Sequence, residues 1–300
     1  MENSSTLTGI HVPLVTPFTA DGSVAYQALE ALAHQVLDEG ADGLVALGTT
    51  GEPATLDEAE RLAVIDVIAR VCGERAVPLS IGAGTNDTRT SAAALHALKR
   101  WPEATAALVS VPYFTRPSEE GVLAHFEALA AESHLPLVVY NVPYRSGQSL
   151  SAHTLRRLAA LPQVVGVKHA VGAIDAETID LLADLPDGFA VLAGDDIYLS
   201  GLLALGGSGG ILASAHCATA RYAELAAAWR DGDLARARRL GGALSTMARA
   251  LFAEPSPGVL KGVLHAQGRI PTPAVRLPMV PASRQAVEAA MLVLGTLADQ

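Results

Sequence analysis

Eight short apolar runs, each followed by a longer amphipathic stretch, govern what this chain can fold into. The runs cover residues 10–15, 43–47, 78–82, 106–111, 135–140, 163–168, 189–193 and 209–213. The stretches behind them, about 26–39, 56–71, 87–100, 118–133, 151–160, 173–184, 196–205 and 219–231, carry helical periodicity. Runs this short, bounded by turn residues, suit strands buried on both faces. Strands alternating with helices imply a parallel sheet. Eight such units in 231 residues match the size of a closed (β/α)8 TIM barrel, typically about 250 residues. A doubly wound open sheet uses the same alternation, but usually with fewer units, and no GxGxxG follows the first run.

After Gly232 the alternation stops. Helices are expected over 233–253, 257–267 and 283–297, with Pro271, Pro273, Pro278 and Pro281 punctuating the connection before the last. The expected division is therefore a barrel over 1–231 and a C-terminal helical domain over 232–300. Local signals agree with the helix starts. Asp57, Glu58 and Glu60 load the first turns of the second stretch with acids, which the helix dipole favours. Asn86 or Asp87, and Ser118, stand where N-caps are needed.

Composition excludes several classes. Half the residues are hydrophobic and 17% are charged, with a mean hydropathy of +0.31, so disorder is excluded. Acidic residues outnumber basic ones 31 to 21, which leaves no electrostatic footprint for nucleic acid. Cys72 and Cys217 have neither disulfide nor metal spacing, as expected for a reducing compartment. Met1–Thr8 is polar, without the apolar core of a signal peptide. No uninterrupted apolar run is long enough to span a bilayer. A cytoplasmic protein without membrane or nucleic-acid partners is expected. Among the basic residues only Lys99, Lys168 and Lys261 are lysines, so each merits inspection.

Barrels of this kind place their chemistry at the C-terminal ends of the strands. The second run ends in Gly48-Thr49-Thr50-Gly51-Glu52, the fourth in Pro112-Tyr113-Phe114 and the fifth in Tyr140-Asn141, with Arg145 close behind. The sixth ends in Lys168 and the seventh in Gly194-Asp195-Asp196. Lys168 follows Val164-Val165-Gly166-Val167, so its stem should lie against apolar wall. Desolvation disfavours an ammonium, and a neutral amine is the nucleophile that forms a Schiff base with a carbonyl. The alternative is a lysine paired with a loop carboxylate, Asp195 or Glu52. Thr49 and Thr50, between glycines, could hold a small carboxylate through hydroxyls and exposed N–H groups, or could simply satisfy a tight turn. Tyr140 could act as general acid/base, or be a rim tyrosine with a satisfied hydroxyl. Arg145 could clamp a carboxylate in a bidentate pair, or form a surface ion pair. The glycines at 206–210 precede the eighth run and read as a turn. His169 and His216 lack metal-ligand spacing and read as structural.

Taken together, these residues resemble the dihydrodipicolinate synthase / N-acetylneuraminate lyase family of class I aldolases. The resemblance extends from about Gly9 to Met291. It is carried by Gly48-Thr49-Thr50-Gly51-Glu52, by Tyr140-Asn141-Val142-Pro143 and by the strand-ending Lys168. Supporting matches are Pro112-Tyr113 with Arg116-Pro117-Ser118, Gly194-Asp195-Asp196 and Phe252-Ala253-Glu254-Pro255. The resemblance implies a (β/α)8 barrel with a C-terminal helical segment. It implies that Lys168 condenses with the ketone of pyruvate, and that Thr49 and Thr50 hold the pyruvate carboxylate. Tyr140 and Thr49 would relay protons, and Gly51, Gly194 and Ile211 would complete the substrate-binding set. Neither metal nor organic cofactor is implied, because the iminium is itself the electron sink. The usual assembly of the family, a homotetramer built from two tight dimers, is the expected one.

Thr49-Thr50, Arg145 and Arg276-Leu277-Pro278-Met279 resemble the synthase branch, in which the arginine binds aspartate 4-semialdehyde. The expected reaction is condensation of that aldehyde with pyruvate to 4-hydroxytetrahydrodipicolinate, a step of lysine biosynthesis. The alternatives are a pyruvate-dependent aldolase or lyase using another aldehyde or a sugar acid, and a non-catalytic 2-oxo-acid-binding homologue. Three positions depart from the synthase pattern. Phe114 stands where a second tyrosine normally crosses from a neighbouring subunit to complete the hydroxyl relay. His169 replaces a commonly acidic residue, and Ser256 replaces asparagine in Glu254-Pro255-Ser256-Pro257. The family's lysine-inhibition site is matched at Asn86 and Tyr113 but not at Glu58, Arg61 and Thr90, so weak or absent inhibition by lysine is expected.

Overall fold

The computed structural model describes residues 7–298. Eight parallel strands close into a barrel in chain order. They are β1 (Gly9–Pro13), β2 (Gly43–Ala46), β3 (Leu79–Gly82), β4 (Ala104–Ser110), β5 (Leu137–Asn141), β6 (Val164–His169), β7 (Ala190–Ala193) and β8 (Gly209–Ile211). Every run read from the sequence overlaps its strand, with ends that differ by no more than two residues. β1, β2 and β8 stop before their runs do, because the last apolar residues of those runs already belong to the turns that follow.

Helices separate the strands as the periodicity requires. Where the sequence expects a helix from residue 56, the helix runs Glu58–Arg75, because Asp57 is its N-cap. The Asp57 carboxylate accepts the Glu60 N–H at 2.8 Å while the Glu60 carboxylate accepts the Asp57 N–H at 3.0 Å, a reciprocal box that satisfies two otherwise orphaned donors. Asp87, not Asn86, caps Thr88–Ala97. Ser118 caps Glu119–Glu132. Behind the last barrel strand come helices Ala215–Arg230, Leu234–Leu251, Gly258–Ala266 and Arg284–Ala298. Two short elements have no periodic signal: a 3₁₀ turn at Thr49–Gly51 and one helical turn at Pro143–Ser146.

The chain forms two compact units. Among the described residues, one holds Leu7–Gly9 and Pro78–Ile211; the other holds Ile10–Val77 and Leu212–Ala298. Within the first, the register of β5 on β6 begins as Leu137↔Val164 and then shifts, so that Val138 faces Gly166, Tyr140 faces Lys168 and Asn141 faces His169. Val165 is the extra residue of this bulge. Gly166, directly after it, leaves no room for a side chain: an added Cβ would stand 2.7 Å from the Ala190 carbonyl oxygen.

Within the second unit, Val15, Leu32, Ala213, Leu260, Leu264 and Ile270 form a buried cluster. His216, fully buried, fastens the chain beside it. Its Nδ1–H donates to the Ala213 carbonyl at 2.8 Å and its Nε2 accepts the Val15 N–H at 3.2 Å. An imidazolium could not accept that N–H, and burial lowers the His216 pKa to about 4. Unfolded histidine titrates near 6.5, so between these values the unfolded chain binds the proton that the folded chain refuses. The stability from neutral His216 is complete above pH 6.5 and is lost as pH falls toward 4, by about 3 kcal/mol at most. Urea unfolding followed from pH 7 to pH 4 should show this loss. His216→Gln should be less stable at neutral pH and show a shallower decline across the same window.

Candidate active site

In the first unit, Tyr140 and Lys168 are direct neighbours on adjacent parallel strands, so their side chains share a face. Lys168 is buried, and its Nζ stands 4.3 Å from the centroid of the Tyr140 ring. Of the two carboxylates the sequence offers as its partner, Asp195 receives the Gly172 N–H at 2.6 Å. Burial raises the Asp195 pKa, with Lys168 and the Gly172 hydrogen bond opposing that rise. Glu52 is an ion-pair partner of Lys261. Among the described residues Lys168 makes no ion pair, and the Tyr140 hydroxyl meets no hydrogen-bond partner in the protein. The alternatives of a neutralised lysine and a satisfied tyrosine therefore do not describe this pair.

Gly194, at the end of β7, makes room for the lysine. A Cβ there would lie 3.0 Å from Lys168 Cγ, 3.1 Å from its Cε and 2.8 Å from Ala170 Cβ. Ile211 ends β8 and is buried. Arg145 lies exposed on the turn Pro143–Ser146, its guanidinium 5.8 Å from the centroid of the Tyr144 ring and, among the described residues, without an ion pair.

One position further along both strands, Asn141 and His169 point the other way, as the two-residue period demands. His169 Nε2 lies 3.0 Å from the Thr178 hydroxyl on the helix Ala176–Ala183, and Asn141 Nδ2 donates to His169 Nδ1 at 3.4 Å. The Thr178 hydroxyl in turn donates to Asp175 at 2.6 Å. Burial lowers the His169 pKa to about 4, which keeps the imidazole neutral behind the sheet. The departure at residue 169 thus lies on the face opposite Lys168. Phe114 is 89% exposed on a backbone with φ +67°, beside Tyr113 at 41%.

In the second unit, β2 runs into the turn of Thr49, Thr50 and Gly51. Backbone bonds close it: Gly51 N–H to Gly48 O at 2.9 Å and Glu52 N–H to Thr49 O at 3.1 Å. The threonine hydroxyls are not used for this. Thr50 is buried and Thr49 half-buried, and among the described residues neither hydroxyl has a partner in the protein. The Thr16 hydroxyl donates to the Gly51 carbonyl at 2.7 Å.

Beneath the turn lies a group the sequence reading passed over. Lys261, on the helix Gly258–Ala266, is fully buried. Its ammonium donates to Glu52 Oε1 at 2.7 Å and to the Thr16 carbonyl at 2.8 Å, and stands 4.1 Å from the centroid of the Phe18 ring. Glu52 Oε2 accepts the Arg276 N–H at 3.0 Å. The Arg276 guanidinium grips both Glu60 oxygens and donates to the Thr55 carbonyl at 2.8 Å. The available signal was a lysine inside the apolar helical run Gly258-Val259-Leu260-Lys261-Gly262-Val263-Leu264.

Comparison with known proteins fits this architecture. Residues 6–296 match the model of the dihydrodipicolinate synthetase family. The chain belongs to this family. A 4-hydroxy-tetrahydrodipicolinate synthase of Neisseria meningitidis serogroup B is 40% identical over 294 residues, 97% of this chain and 100% of that protein. The dihydrodipicolinate synthase structure from Thermotoga maritima superposes with a TM-score of 0.93 at 32% identity, covering 98% of this chain and 99% of that one. A chloride-inhibited dihydrodipicolinate synthase from Acinetobacter baumannii, complexed with pyruvate, gives a TM-score of 0.92 at 36% identity, covering 97% and 99%. Among the described residues no helix is long and apolar enough to cross a membrane.

The room at Gly194 yields a direct test. Gly194→Ala must push the Lys168 stem aside and also crowds the Ala170 Cβ. Borohydride trapping of a 2-oxo acid on Lys168, measured well below the variant's melting temperature, should slow by about tenfold or more. Trapping at the wild-type rate would show that the lysine does not depend on this clearance.

Proposed function

We propose that this chain is a Schiff-base aldolase that condenses pyruvate with aspartate 4-semialdehyde to give 4-hydroxytetrahydrodipicolinate. The observation that carries the reading is the buried, unpaired Lys168 amine against the Tyr140 ring, with Gly194 open beside it. A lysine neutralised by a carboxylate would be a structural ion pair. A buried lysine without one keeps its nitrogen unengaged and placed to attack a carbonyl. Relatives named as this synthase, 40% identical over their full length, support the choice of reaction.

The steps follow from the chemistry of an amine and a 2-oxo acid. The Lys168 lone pair adds to the pyruvate ketone carbon, and the ketone oxygen takes up a proton. The resulting carbinolamine loses water and becomes an iminium. Tyr140, beside the amine, is the group we assign to carry these protons, with the Thr49 hydroxyl in the same relay. The iminium acidifies the methyl group, which gives up a proton and becomes the nucleophilic carbon of an enamine. That carbon forms the new bond to the aldehyde carbon, the aldehyde oxygen takes up a proton and the nitrogen returns to an iminium. The amino group of the aldehyde substrate then adds to the iminium carbon, closes the ring and displaces the Lys168 amine. Thr50, Thr49 and Gly51 receive the pyruvate carboxylate, which explains why both hydroxyls are kept free of the protein. Arg145, exposed and, among the described residues, without an ion pair, takes the carboxylate of the aldehyde. Ile211 at the end of β8 contributes apolar wall.

We assign the chain to a homotetramer in the cytoplasm, on the family's habit and on the exposed Tyr113-Phe114 segment. Phe114 cannot carry a proton, so a water or the two remaining hydroxyls must complete the relay. General acid–base assistance is worth about 10²–10⁴-fold, which sets the scale of the slowing if nothing replaces it.

A coupled assay with purified protein decides among aldehydes. Pyruvate with aspartate 4-semialdehyde should turn over, and lysine at sub-millimolar concentration should leave the rate unchanged. Arg145→Ala should raise the KM for the aldehyde by about tenfold to a hundredfold and leave the KM for pyruvate within about twofold. No turnover with this aldehyde, alongside turnover with another, would transfer the assignment to a different pyruvate-dependent aldolase.

A further inference from the structure

We propose that Lys261 is a positioning residue for the 2-oxo acid, holding the Thr49–Thr50–Gly51 turn in its receiving shape from beneath. The inference rests on the reading that this turn takes the pyruvate carboxylate.

The contacts run without a gap from the helix Gly258–Ala266 to the turn. One N–H of the ammonium goes to Glu52 Oε1 and one to the Thr16 carbonyl. The Phe18 ring lies close by. Glu52 is the residue directly after the turn, and its N–H closes the turn on Thr49 O. It does so at φ +55°, a left-handed conformation that a residue with a side chain adopts only when its surroundings enforce it. The ion pair to Lys261 and the Arg276 N–H on the other carboxylate oxygen supply that enforcement. Thr16, the second residue held by Lys261, donates its hydroxyl to the Gly51 carbonyl. The lysine therefore grips both groups that fix the turn, while the hydroxyls of Thr49 and Thr50 stay free.

Packing alone does not explain a lysine here. Val259, Leu260, Val263 and Leu264 on the same helix are all buried, and a leucine or methionine would fill the position without removing an ammonium from water. Hydrophobic replacement of a buried ion pair is often neutral or stabilising. The role assigned to the charge here is to specify geometry.

The test uses the full-length protein with Lys261→Met, Glu52→Gln and the double variant, each measured for melting temperature and for KM with pyruvate and with the aldehyde. Lys261→Met leaves Glu52 buried and unpaired. It should lower the melting temperature and raise the KM for pyruvate by about tenfold or more, with the KM for the aldehyde changing less than about threefold. In the double variant the unpaired charge is gone. The melting temperature should recover toward wild type while the KM for pyruvate stays raised. A purely stabilising lysine would give an unchanged KM for pyruvate in every folded variant, or a KM that recovers together with stability, and either result overturns the proposal. If Lys261→Met yields no soluble protein, Glu52→Gln and the double variant carry the same comparison. A wild-type protein with no pyruvate-dependent turnover would instead remove the functional reading on which the proposal rests.

Discussion

A one-residue shift between β5 and β6 decides which side chains share the face of Lys168. Had the pairing continued from Leu137↔Val164 without the bulge at Val165, Tyr140 would stand opposite Val167 and Lys168 opposite Asn141. Because strand side chains alternate, a one-residue slip moves a whole set to the other face. The bulge absorbs one residue, and Gly166 allows the strand to lie close against Ala190 just after it. From that register follow the Tyr140–Lys168 pair on one face and the Asn141–His169–Thr178 chain on the other. The chemistry and its scaffold are thus two faces of the same four residues.

The two buried lysines use opposite electrostatic arrangements. Lys261 is given a carboxylate, a carbonyl and an aromatic face. Burial still lowers its pKa to about 8, with Glu52 pulling the other way. Removing one partner of such a pair costs about 3–5 kcal/mol, because the other charge is left uncompensated. Lys168 is also buried but, among the described residues, has no carboxylate in an ion pair. A group held in that way is available to react, and the Gly194 clearance keeps its stem in place. The difference between a lysine that holds and a lysine that acts lies in the partner and not in the degree of burial.

Much of the barrel was legible because its signal is periodic. Short apolar runs, helical stretches and capping residues such as Asp87 and Ser118 are local, and each run overlaps its strand. Lys168, Tyr140 and Gly194 were legible because they end runs. The bulge at Val165 was not, since Val164-Val165-Gly166-Val167 reads as a plain strand and the shift exists only relative to β5. The turns at Thr49–Gly51 and Pro143–Ser146 were too short to carry a period. The Glu52–Lys261 pair joins residues 209 apart in sequence, so no local pattern announces it, although a lysine within an apolar helical run asks for a buried partner. Glu52 had been offered to Lys168; the structure gives it to Lys261. His169, a departure from the family pattern, matters less than its place in the sequence suggests, because alternation turns it toward the helix Ala176–Ala183.

The central claim is that the Lys168 amine is the nucleophile toward pyruvate. The most direct measurement is borohydride reduction of the protein with pyruvate, followed by peptide mass mapping. The account predicts one reduced pyruvyl adduct per chain, on the peptide containing Lys168, absent from Lys168→Ala and slower to form in Tyr140→Phe. An adduct on Lys99 or Lys261, or no adduct on the wild-type protein at saturating pyruvate, would contradict it.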